Sequence, residues 1–306
     1  MSSPEGVASR PATTSLPARA WGRLHVVVRA VLIGAPLSAL GSLGSAVPMQ
    51  VNLGVFPAVP WSLPFSAIWL WLFWRYLSGH GWPRSTSTLR REWLRARPLS
   101  TPMWRWSLLT CALLFAFSLA LAFARSRFLP IGMTLPPELL AAPPITIVAV
   151  LLTISAQAGV VEEAAFRGYM FTPIERRHGP VVATTIVSLV FLLAHFGDPQ
   201  NLSAYRIVSI FLAGVVYCVL LVVTNSILPG LIAHAAGDGI ALLLLWRAHT
   251  RGDAAPERVG GFTEALRDPG FLGYAGLAFV LGLAAIGAFL RLRRTARFEA
   301  AHLEPR

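Results

Sequence analysis

Residues 144–171 read PITIVAVLLTISAQAGVVEEAAFRGYMF. The run from Pro144 to Val161 is uncharged and long enough to be read as a bilayer-crossing helix. Glu162, Glu163 and Arg167 then fall between that run and an aromatic one, GYMF. On insertion scales a charged side chain at the centre of a membrane helix costs about 2.5–3.5 kcal/mol. Three in six residues need a purpose, so this stretch predicts both a membrane helix and a site within it.

The rest of the chain agrees with a membrane protein. Of 306 residues 55% are hydrophobic and 13% charged, with mean hydropathy +0.61; soluble domains carry roughly 25% charged residues. All 26 basic residues are arginine, and the net charge is +12. In a soluble chain that charge suggests nucleic acid. Here it suggests cytoplasmic loops facing anionic lipid, with the bilayer and not nucleic acid as partner. The Ala- and Arg-rich, Lys-free composition points to a GC-rich bacterial genome. Cys111 and Cys218 lie in apolar runs without metal or disulfide spacing and read as small core residues.

Residues 1–22 are rich in Ser, Pro and Ala and are expected to form a disordered cytoplasmic tail. Residues 23–295 are expected to form one transmembrane domain with its core at about 143–246, and residues 296–306 a cytoplasmic C-terminal tail. Apolar segments near 26–46, 61–77, 104–124, 144–171, 180–197, 206–223, 226–246 and 270–290 predict an all-α polytopic bundle of about eight helices. The first, rich in Gly and Ser, also reads as a signal sequence. Arginines concentrate at the two ends of the chain and in the loop between the second and third segments, which predicts both termini in the cytoplasm of a bacterial inner membrane.

Six ionisable groups lie away from the helix ends: Glu162, Glu163, Arg167, His195, His234 and Asp238. Glu163 and Arg167 are spaced i,i+4, which allows an ion pair on one helix face. His234 and Asp238 share the same spacing. Glu162 and His195 lie at similar distances on either side of a turn near Arg177, so the two should be level in the bilayer. Together these residues predict one polar pocket inside the membrane.

A cluster of three carboxylates and one guanidinium cannot keep every acid ionised without a proton or a bound cation. Both outcomes suit hydrolysis. A Glu beside a His can take a proton from water and return it to a leaving amine; a divalent metal such as zinc, held by Glu162, His195, His234 and Asp238, can acidify the water instead. With Glu163 pinned by Arg167, Glu162 is the group left to act. Carboxylates and histidines also build proton or cation relays, but there is no inverted repeat or matched pair of interrupted helices to support a transporter.

EEAAFRG (162–168), FLLAH (191–195) and HAAGD (234–238) resemble, in this order, the E-E-x-x-x-R, F-x-x-x-H and H-x-x-x-N/D motifs of the CPBP family. That family comprises CAAX prenyl endopeptidases and bacteriocin-processing or immunity proteins. The resemblance covers about residues 143–246. It implies an intramembrane endopeptidase, often classed as a metalloprotease, acting on a membrane protein or peptide. It further implies that Glu162 and His195 activate water, Glu163 and Arg167 support Glu162, and His234 with Asp238 stabilises the oxyanion or a metal. Asp238 departs from the frequent Asn, and an ionised Asp repels an oxyanion. A non-catalytic membrane scaffold or immunity protein is therefore the competing reading.

Overall fold

The computed structural model describes residues 21–129, 134–197, 203–252 and 258–303. Most of the expected N-terminal tail, residues 1–20, lies outside them. The described residues form an all-α bundle, with α1 at Val26–Val55, α2 at Ser62–Leu77, α3 at Ser87–Leu94 and α4 at Thr101–Ser126. After α5, Pro144–Gln157, the chain continues without a break through a π-wound segment, Ala158–Met170, into α6, Phe171–Ala194. The last helices are α7, Ala204–Thr224, α8, Leu228–Arg251, and α9, Pro269–Leu303.

Among the described residues six helices are long and apolar enough to cross a membrane, where about eight were expected. The two numbers differ for physical reasons. At 16 residues α2 spans only about 24 Å, short of a hydrocarbon core of about 30 Å. The expected fourth and fifth spans form one helical run, Pro144–Ala194, interrupted where Gly179 leaves helical geometry at φ 82° and ψ 169°, just before Pro180. The chain doubles back there: Phe166 packs edge-to-face on Phe191, with ring centroids 5.3 Å apart. Residues about a dozen before and after Gly179 thus face each other.

Loop contacts sort the helix ends onto two faces. On one, Arg95 donates to Asn225 Oδ1 (3.1 and 2.7 Å) and pairs with Glu175; Ser100 bonds Glu299, and His25 stacks on His178 at 5.2 Å. This face gathers the start of α1 and the end of α9. On the other, Arg127 forms a bidentate pair with Asp268 (2.8 and 3.1 Å), and Thr146 donates to Pro57 O at 2.7 Å. Hydrogen bonds from Arg127, then from the Phe271 amide, hold the Asp268 carboxyl below its ordinary range.

The core is built around the π-wound segment. Val161, Ala164, Ala165, Phe166 and Met170 are buried against α1, α2 and α6. Small residues let α1 approach closely, as in other membrane helix pairs: a side chain at Gly34 would meet Met170, and one at Gly41 would meet Val161. Helix α1 runs on through Pro48 to Val55. Gly159 does the same for α8, since a Cβ there would lie 2.6 Å from the Leu231 carbonyl oxygen and 2.8 Å from Ala235 Cβ. Backbone cannot swing aside like a side chain. Gly159→Ala is expected to push α8 outward and cost about 1–3 kcal/mol, read as a lower midpoint in thermal unfolding in detergent.

Candidate active site

The π-wound segment presents Glu162, Glu163, Phe166 and Arg167 to the bundle interior. Its wider winding, with the Phe171 amide reaching back to the Phe166 carbonyl, departs from the α-helix that the apolar run predicts. Such winding is rare and is frequently found at functional sites.

Glu163 is the hub. Its Oε1 lies 3.2 Å from Arg167 Nη1 and 2.9 Å from His234 Nδ1. The second contact places a proton on Nδ1 of His234. Arg167 and Glu163 are both buried, and the guanidinium is held between aromatic faces, 4.3 Å from the Phe191 ring and 5.2 Å from Tyr217. Those contacts replace part of the hydration that a buried cation loses. Nη2 also reaches Gly214 O at 3.5 Å. Tyr217 stacks on His234 at 4.8 Å, closing the imidazole in from the side. At Gly230, α8 passes so near that an added Cβ would sit 3.1 Å from Glu163 Oε2.

Glu162 stands apart from this clamp. Its Oε2 is buried without a hydrogen-bond partner and lies 3.8 Å from His234 Nε2. Asp238 Oδ2 approaches the same nitrogen at 3.7 Å. Glu162 and His195 line a cavity of about 400 Å³ together with Ser38 and Ser42 of α1, Phe166, Ala194 and Gly197. His195 follows the last residue of α6, and its Nδ1 faces Phe191 O at 2.8 Å, which places a proton on Nδ1.

The structure therefore gathers all six sequence-predicted residues in one region: Glu163 pairs with Arg167 and His234, His234 Nε2 faces Glu162 and Asp238, and His195 shares a cavity with Glu162. It adds Ser38, Ser42 and Tyr217, which sequence reasoning had not singled out, and sets Phe191 against Arg167. Phe191 opens the FLLAH motif and was legible there. The α1 serines show in the sequence only as part of a small-residue run, and Tyr217 only as one aromatic in an apolar helix.

A zinc ion needs three or four donors around one point. Among the described residues no group of three or more His, Cys, Asp or Glu side chains is placed to hold a metal ion. As they stand, Glu162, His195, His234 and Asp238 do not fit one.

Residues 144–240 match the family model described as type II CAAX prenyl endopeptidase Rce1-like. All six site residues fall inside the matched segment. The match bears out the family resemblance carried by the three motifs, and it supports a CAAX-type endopeptidase of the membrane. Neither a curated protein nor a solved structure matches the chain.

Proposed function

We propose that this protein is an intramembrane endopeptidase in which Glu162 is the general base and which hydrolyses a peptide bond of a membrane-associated protein or peptide. The observation that carries the reading is the division of labour between adjacent glutamates. Glu163 is consumed by Arg167 and His234, while Glu162 holds an unpartnered carboxylate oxygen at a cavity shared with His195.

In this reading a water in the cavity is oriented by His195 Nε2 and gives a proton to Glu162. Its oxygen bonds to the substrate carbonyl carbon, and the carbonyl oxygen becomes an oxyanion. Three carboxylates against one guanidinium leave room for a second proton on His234. Its Nε2–H then donates to the oxyanion, while Nδ1–H stays on Glu163. Collapse breaks the C–N bond, and the proton held by Glu162 passes to the departing amine. Asp238 Oδ2, 3.7 Å from His234 Nε2, is assigned to favour that second proton, so the departure from Asn is compatible with activity.

The expected setting is a bacterial inner membrane, with both termini in the cytoplasm, as the arginine distribution argues. A direct test is hydrolysis of a membrane-associated peptide by purified protein in ¹⁸O-labelled water. One labelled oxygen should appear in the newly formed carboxyl of the N-terminal fragment. Cleavage without label, or no cleavage of any membrane peptide presented, would remove the reading.

A further inference from the structure

The cavity lies nearer one face of the bundle than the other. The second half of α6 starts at Pro180 on the face that holds the start of α1, and ends at Ala194 after only about 22 Å. A hydrocarbon core is about 30 Å thick, so α6 stops short of the opposite face, and the cavity lies at its C-terminal end, walled by Ala194, His195 and Gly197. Neighbouring α7 and α8, at 21 and 24 residues, are long enough to cross completely.

Exposure of the site residues follows the same direction. The run from α5 to α6 descends towards the first face, so Glu162 is farther from it than Glu163 and Arg167. Helix α8 ascends away from it, so Asp238 is farther from it than His234. The side chains are 0% exposed at Arg167, 1% at Glu163, 8% at His234, 20% at Glu162 and 46% at Asp238. From the first face the way in is closed. Ile227 N–H bonds Arg95 O at 3.2 Å, Ser226 Oγ bonds Arg97 O at 2.7 Å, and Arg95 ties Asn225 to Glu175. The Glu163–Arg167 pair lies between those loops and the cavity.

That closed face is also the arginine-rich one. Among the described residues it has about twice as many arginines as the opposite face, including Arg90, Arg91, Arg293 and Arg294. Positive loops stay in the cytoplasm.

We propose that the site admits its substrate from the non-cytoplasmic side. The substrate class is then a peptide segment that has already crossed the membrane, or the outer end of a membrane-spanning segment, and not a cytoplasmic C-terminal tail. This rests on the peptidase reading for what happens in the cavity, but the direction of access is testable without turnover.

Cys111 and Cys218 are first replaced by alanine. Single cysteines are then placed at Ser42 in the cavity, at Ser85 on the arginine-rich face and at Thr250 on the opposite face. Each variant meets a membrane-impermeant maleimide in intact bacterial cells and after permeabilisation. Ser42→Cys and Thr250→Cys should react in intact cells, and Ser85→Cys only after permeabilisation. Reaction of Ser42→Cys only after permeabilisation would overturn the proposal, whichever of the two reporters it follows. So would a Ser42→Cys that never reacts while both reporters behave as expected. None of these outcomes bears on hydrolysis, which the isotope experiment tests separately.

Discussion

Glu162→Gln yields a folded protein that no longer hydrolyses peptide. The amide keeps the shape of the carboxylate but has no basic oxygen with which to take a proton from water. Positioned general bases contribute about 10²–10⁴-fold, so turnover should fall by at least that range while the unfolding midpoint stays put. Stability is spared because Glu162 Oε2 makes no hydrogen bond that the substitution could break, and because a formal charge leaves an apolar setting. Kinetics and thermal unfolding of the same preparation separate the two effects. Turnover within tenfold of the wild type would assign the base elsewhere. A large loss of both activity and stability would make Glu162 a structural residue.

Much of this arrangement was legible in the sequence because charge inside an apolar run is costly and therefore conspicuous. Glu162, Glu163, Arg167, His195, His234 and Asp238 stood out by that argument alone, and the turn between the fourth and fifth segments put Glu162 level with His195. What stayed hidden depends on packing between helices. A period of 3.6 residues predicts which residues of an α-helix share a face, but it does not predict the π winding over Ala158–Met170, the segment packed against α1, α6 and α8. Nothing in the residue spacing marks it. Likewise the small-residue pattern of α1 was visible while its purpose was not. Gly34 and Gly41 let the helix lie against Met170 and Val161, and that approach brings Ser38 and Ser42 to the cavity wall. The difference in helix number comes from Gly179, whose turn separates two passes of one helical run, and from the shortness of α2.

The Glu163–Arg167 pair should give the largest change in stability. Both side chains are buried, and Glu163 also accepts from His234. Arg167→Met keeps length and apolar bulk but strands the carboxylate beside a second one at Glu162. Breaking a buried pair in this way costs about 3–5 kcal/mol, a loss that unfolding in detergent will show as a large drop in midpoint. The cost is that of an uncompensated charge, not of a missing contact, so removing the charge should reverse it. Glu163→Gln combined with Arg167→Met leaves a neutral amide that can still accept from His234 Nδ1, and the double variant should recover most of the lost stability. The coupling between the two positions, read from a double-mutant cycle, is then strongly favourable. Activity should not recover with it, because an amide holds His234 less firmly in its protonated state than a carboxylate does. A stable Arg167→Met, or a double variant no better than the single, would mean that the pair is not what keeps charge tolerable at the centre of the bundle, and the separate roles assigned to Glu162 and Glu163 would lose their basis.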